Sequence, residues 1–204
     1  MKAKFIGATL GVMVLVSATP AEAAKIYAGT LSGGAVVPHV ATAGSGSAIA
    51  TIDSALSSLT LSVVFFGLSS GTQAATINCC ALAGSNAGSA IKLTGFPAGV
   101  KAGSYSHIFN LLSNASYTPA FRLANGGTAI SARNALIAGF EADKAYINIT
   151  TSWRPSGEIR GQLTSIDPVP EPAEWAMLML GSMASGMMLR RQSRGRRQVK
   201  FVLA

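Results

Sequence analysis

The sequence predicts a mainly β protein: a Greek-key β-sandwich or barrel with a short helical insert, flanked by an N-terminal signal peptide and a C-terminal short transmembrane helix. Three observations carry this. Between residues 24 and 166, short runs alternate apolar and polar residues and are punctuated by glycine, which is the pattern of half-buried strands. One stretch of that body, Ala129 to Ala142, spaces its apolar residues helically instead. At each end lies an uncharged apolar segment with the flanks of a targeting signal.

The N-terminal segment starts with a positive Met1-Lys2-Ala3-Lys4, continues without charge from Phe5 to Ala18, and ends on Thr19-Pro20-Ala21-Glu22-Ala23-Ala24. A membrane anchor wants about 20 apolar residues. A shorter run followed by small residues at Ala21 and Ala23 fits a signal peptide over residues 1–23, cleaved after Ala23.

The body, residues 24–166, is long enough for one domain with its own core. Strands are predicted at Lys25 to Ser32, Gly44 to Ile52, Leu59 to Leu68, Thr72 to Cys79, Ser89 to Thr94 and Gly103 to Leu111. In the third of these, Leu59, Leu61, Val63 and Phe65 share a face. Val64 and Phe66 make its second half apolar on both faces, which places it centrally in the sheet. Pro119 to Ala124 and Ala129 to Ala142 then form a helical excursion, with Ile130, Leu136, Ile137 and Phe140 on one broad face and Gly139 as the weak point. Alternation returns at Lys144 to Thr151 and Gly157 to Ser165, joined by a turn at Trp153-Arg154-Pro155-Ser156-Gly157.

Residues 167–174 hold Pro168, Pro170 and Pro172, and prolines fix the backbone and remove donors, so this is a stiff extended linker. Residues 175–189, with Trp175 at one boundary and arginines at the other, read as a short membrane helix, and 190–204 as a basic cytoplasmic tail. Fifteen residues at 1.5 Å each reach only about 22 Å, short of a hydrocarbon core of about 30 Å, so the anchor is expected to be transient.

Most of the formal charge of +8 belongs to the ends. Residues 24–169 carry eight Lys or Arg against five Asp or Glu, whereas residues 190–204 carry six basic residues and no acid. No basic patch interleaved with aromatics survives in the body, which argues against nucleic acid as a partner.

Pro170-Glu171-Pro172, the short apolar segment and the Arg190-Arg191 to Arg196-Arg197 cluster together resemble the PEP-CTERM sorting signal. The resemblance implies processing by an exosortase, a membrane enzyme that removes such tails in Gram-negative bacteria. The chain runs on through Gln198 to Ala204, longer than most such tails. In the body, Ala145-Tyr146-Ile147-Asn148-Ile149-Thr150-Thr151 followed by Pro155-Ser156-Gly157-Glu158-Ile159-Arg160-Gly161-Gln162-Leu163 resembles the closing motif of the CHRD domain. Leu31-Ser32-Gly33, Val37-Pro38 and Leu61 to Leu68 support it. That resemblance implies an extracellular β domain over about Ile26 to Leu163. It also exposes a departure. Family members commonly read Ala-His-Ile-His where this chain has Ala75-Thr76-Ile77-Asn78, and Asn-Ile-His-Thr where it has Asn148-Ile149-Thr150-Thr151. Residues two apart share a strand face, so such histidines could converge on a metal or polar ligand. All three are replaced here, and a metal site built from them is expected to be lost.

His39 and His107 are the only histidines, far apart and without ligand spacing, and are expected at the surface. Cys79-Cys80 is the sharper feature. An even count in an oxidising compartment favours a disulfide, although adjacent Cα atoms, about 3.8 Å apart in a trans chain, fall below the usual range. A structural vicinal disulfide is expected, with a redox or metal role as the alternative. Glu158 and Arg160 should face the same way and form an ion pair that pins the last hairpin. Asp53, Glu141 and Asp143 make no evident acid/base pair, and no G-x-S-x-G motif is present, so no catalytic residue, metal or cofactor is assigned. The expected function is a non-enzymatic surface or extracellular-matrix module that is processed by an exosortase, briefly anchored in the inner membrane, and in contact with exopolysaccharide or other envelope components. The competing reading is a metal-dependent or redox β-sandwich of the superoxide-dismutase type.

Overall fold

The computed structural model describes residues 24–53 and 55–166. The signal segment with Ala21 and Ala23, the Pro170-Glu171-Pro172 motif, the apolar segment 175–189 and the basic tail lie outside the described residues. Among those described, no helix is long and apolar enough to cross a membrane.

Among the described residues nine strands form one antiparallel sheet. Strands β1 (Lys25–Ser32), β2 (Ser45–Ile52) and β3 (Ser58–Phe66) make a meander in unbroken register, from Lys25↔Ile52 to Ser32↔Ser45 and from Ile52↔Leu59 to Ser45↔Phe66. The chain then crosses to the far side for β4 (Thr72–Asn78) and β5 (Ser89–Lys92), and returns for β6 (Gly103–Asn110), which pairs with β3. It crosses once more, through helices α1 (Pro119–Ala124) and α2 (Ala129–Glu141), to β7 (Tyr146–Thr151) beside β4. The last strands close the gap: β8 (Ile159–Gln162) pairs with β7 and meets β1 at Ser32↔Arg160, and β9 (Thr164–Ile166) runs on along β1. The spatial order is β5-β4-β7-β8-β1-β2-β3-β6.

This single sheet curls into a half-barrel whose two wings share one core. Leu59, Leu61, Val63 and Phe65 of β3 belong to the same buried cluster as Ala75 and Ile77 of β4 and Ile147 and Ile149 of β7. Strict alternation in β3 explains its inward face. Its predicted central place needs correction: β3 lies between β2 and the edge strand β6, and Val64 and Phe66 stand 49% and 55% exposed on the outer face. Apolar residues on both faces therefore did not mean burial on both.

The helical insert is as predicted, with its caps readable in the residues. Thr118 caps α1 with Pro119 in its first turn, and Thr128 with Ser131 forms a reciprocal capping box on α2. The buried arc of α2 runs through Ala129, Ala132, Leu136, Ile137, Gly139 and Phe140. Ile130, expected on that face, sits at its margin and is 59% exposed, because small alanines occupy the close approach. Phe140 packs on Tyr27 of β1 with ring centroids 4.8 Å apart, which fixes the helix over the sheet.

Candidate functional site

On the wing formed by β4, β7 and β8, alternation turns Ile77, Ile147, Ile149 and Ile159 into the core and Thr76, Asn78, Tyr146, Asn148 and Arg160 to the opposite face. Register aligns them in a row: Thr76 lies opposite Asn148, Asn148 opposite Arg160, and Arg160 opposite Ser32. Two segments fold over this face. The connection from β4 to β5 bends back so that Asn78 Nδ2 donates to Ala87 O at 2.8 Å and Ala87 N–H donates to the Tyr146 hydroxyl at 2.9 Å. Asn86 Nδ2 in turn donates to Val37 O at 3.0 Å, tying that connection to the segment after β1.

Arg160 lies beneath this cover, only 3% exposed. Its guanidinium stacks over the Tyr146 ring at 3.4 Å from the centroid and donates to Ser85 O at 2.7 Å and to Asn86 Oδ1 at 3.2 Å. Both acceptors are neutral, and burial lowers its pKa below the ordinary value. Two cavities adjoin the side chain and share Val36, Val37 and Arg160 as lining. One, of about 170 Å³, is polar, with Asn78, Asn86, Tyr146, Asn148 and Ser156 in its wall. The other, of about 370 Å³, is largely aliphatic and carries His39 and Gln162 at its margin.

The expected ion pair between Glu158 and Arg160 is not formed. The two residues do face the same way, but different loops claim them. The Glu158 carboxylate accepts from Thr42 Oγ1, Ser69 N–H and Thr151 Oγ1, each at 2.7 Å, and these bonds bind two connecting loops to the last hairpin. Glu158 is fully covered, though only by a thin layer of protein. Desolvation there pushes its pKa up, and the donated hydrogen bonds, the Ser69 N–H foremost, outweigh it, so the carboxyl titrates below its ordinary value. Among the described residues the ion pair found is Lys25 with Glu141.

Cys79 and Cys80 are joined to each other, at the end of β4 and beneath α2. A Cβ built on Gly139 would stand closer than 3.0 Å to both sulfur atoms. The glycine that reads as a helix weakness is thus the gap into which the cystine fits. His39 and His107 do not meet: His39 borders the larger cavity and His107 sits on the edge strand β6 between Tyr105 and Phe109. Among the described residues no three His, Cys, Asp or Glu side chains gather in a group able to hold a metal.

The three positions marked by the departure in sequence lie on this same face of β4 and β7. Asn78 lines the polar cavity, Thr76 Oγ1 donates to Asn78 Oδ1 at 2.6 Å, and Thr150 Oγ1 donates to Ala74 O at 3.1 Å. The profile of the CHRD domain matches residues 27–163, more than half of the chain and all of this site. The chain belongs to the CHRD domain family. No curated protein and no solved structure matches it. Sequence reasoning on this CHRD chain missed Tyr146, Asn86 and Asn148, because the cover over the site is the bland run Ala81-Leu82-Ala83-Gly84-Ser85-Asn86-Ala87-Gly88. The available signals were the replaced histidine positions on β4 and β7 and Arg160 itself, a cation in a strand otherwise poor in charge.

Proposed function

We propose that this CHRD domain is a non-catalytic binding module working outside the cytoplasm, and that its ligand occupies the paired cavities around Arg160. The observation that carries the reading is a buried cation whose partners among the described residues are all neutral, set among amide side chains beside open volume. A buried charge is costly unless paired, and buried ions in a purely structural role ordinarily have a counter-ion. The larger cavity falls within the range of about 300–1,000 Å³ typical of small-molecule sites. Concave, partly apolar pockets with a few convergent polar groups are where ligands bind.

Delivery follows from the ends of the sequence. We read residues 1–23 as the export signal and Pro170-Glu171-Pro172 with the segments after it as a PEP-CTERM signal for an exosortase, which would leave the domain at the outer surface in contact with exopolysaccharide or other envelope components. Fractionation with mass spectrometry of both mature ends tests this; an intact 204-residue chain in the cytosol overturns it. Binding is tested by titrating the full-length chain with a panel of neutral and acidic saccharides by calorimetry. Ala83 is exposed and lines the larger cavity, so Ala83→Trp should fill the cavity, leave the fold intact and abolish binding. Turnover of any bound saccharide in the same samples would overturn the non-catalytic reading.

A further inference from the structure

The inference that follows rests on the binding-module reading and narrows it to a ligand class. We propose that the cavities around Arg160 recognise a carboxylate-bearing sugar, a uronate residue of an acidic polysaccharide, with its carboxylate on the guanidinium and its ring against Val36, Val37 and Pro38. A guanidinium carries five N–H groups. Only the two donated to Ser85 O and Asn86 Oδ1 have acceptors among the described residues, so the remainder are free for a ligand. That fork matches the planar, two-oxygen edge of a carboxylate, which it holds by paired charge-assisted bonds.

The count of charges selects among anions. Arg160 is the single buried Lys or Arg among the described residues, and no other Lys or Arg among them lines either cavity. One positive charge balances one negative charge. The nearest acid along the strand, Glu158, is ionised and engaged elsewhere, and its field opposes a dianion such as a phosphate monoester. The rest of the lining points to a polyhydroxylated body. Asn148 Nδ2 is spent on Ser156 O at 3.1 Å, while its Oδ1 takes no hydrogen bond from any described residue and is free to accept from a hydroxyl. Gln162 contributes a second amide at the larger cavity. Among the described residues no carboxylate lines either cavity to receive an ammonium group, which disfavours an amino acid or peptide end.

The test titrates the full-length chain with sodium glucuronate and a diuronide. Methyl glucoside serves as the neutral counterpart, N-acetylalanine as a carboxylate without a sugar, and inorganic sulfate as a simple anion. The uronates should bind at least about tenfold more tightly than the other three. Arg160→Lys keeps the charge but loses the fork and should weaken uronate binding about 10- to 100-fold, the range for losing a hydrogen bond to a charged group. Ala83→Trp should abolish it, and because that residue is exposed it gives an answer even if the Arg160 variant fails to fold. Methyl glucoside binding as tightly as glucuronate, and blocked by Ala83→Trp, would overturn the uronate while sparing the binding module. N-acetylalanine or sulfate binding as well as the uronates would overturn the sugar. Failure of every probe to bind, or binding indifferent to both variants, would overturn the site and the module reading together.

Discussion

Gly139→Ala sets two effects of opposite sign against each other, and the structure decides between them. In an exposed helix interior, glycine to alanine gains about 1 kcal/mol from reduced backbone entropy in the unfolded chain. At Gly139 the added Cβ lies inside 3.0 Å of both Cys79 Sγ and Cys80 Sγ. The neighbour is a cystine locked into consecutive residues, so it cannot swing away as the tip of a long side chain would. Either α2 lifts from the end of β4 or the connection after Cys80 shifts. Overpacking a close-packed core costs about 1–3 kcal/mol and occasionally more, and a clash with two sulfurs belongs at the upper end. The net is a loss of about 1–2 kcal/mol, a fall in Tm of about 2–8 °C for a domain of this size. Thermal unfolding of Gly139→Ala alone and in a Cys79→Ala/Cys80→Ala background measures the coupling directly. With the sulfurs gone, the same substitution should turn neutral or stabilising by up to about 1 kcal/mol. A rise in Tm with the cystine present, or an equal fall in both backgrounds, would refute the claim that the glycine exists to seat the disulfide.

Glu158→Gln should cost about 1–3 kcal/mol in chemical denaturation, since a buried carboxylate with three donors is replaced by an amide that can accept fewer of them. The pH dependence follows from the lowered folded pKa of Glu158. Its contribution is fully present above the ordinary value of 4.5 and is lost as pH falls through the lower folded value, so acid titration of stability should be shallower in Glu158→Gln. Asp53, held down first by the Ser57 hydroxyl and then by the Ser58 N–H, adds a slope of the same sign, which Asp53→Asn should remove in the same assay. Thr128→Ala removes the Oγ1 that accepts from the Ser131 N–H, the side-chain half of the capping box on α2 that residue 128 supplies, and should cost about 0.5–2 kcal/mol by thermal unfolding. Phe66→Ser on the outer face should stay within about 0.5 kcal/mol, and a loss above 2 kcal/mol would mean that β3 is covered after all.

Strand positions were legible because alternation and glycine punctuation act locally. Thr72 to Cys79 was expected and Thr72–Asn78 forms; Gly103 to Leu111 was expected and Gly103–Asn110 forms. What failed was everything that depends on which loop passes over which face. Val64 and Phe66 predicted a covered strand, yet among the described residues no element lies over them, and Glu158 with Arg160 predicted a pair that the loops at Ser69 and Ser85 draw apart. Likewise, Gly139 reads as a flaw until the sulfurs, nearly sixty residues earlier in the chain, are brought beneath it. The candidate site was half legible. The replaced histidine positions Thr76, Asn78 and Thr150 pointed to the correct face, but the cover that turns this face into cavities comes from a run whose composition carries no periodic signal.

The division of labour between Glu158 and Arg160 explains how a charge-poor domain can keep a cation available. Had the two side chains paired across their shared face, the fork would have been neutralised and the cavities left without a charge to offer. Instead Glu158 is saturated by Thr42, Ser69 and Thr151, whose donors hold it ionised without a cation. Arg160 meanwhile is fixed by a carbonyl, an amide and an aromatic face, all of which orient it and none of which cancels its charge. Orientation without neutralisation is what a recognition site requires, since a ligand then forms its bonds without first displacing a counter-ion. The curled sheet makes this possible. Arg160 sits where β8 passes between β7 and the end of β1, at the seam of the two wings, so segments from both wings reach over the same side chain. A flat sheet with the same residues would present Arg160 to solvent, where it would be screened and mobile, and its selectivity for a single carboxylate would be lost.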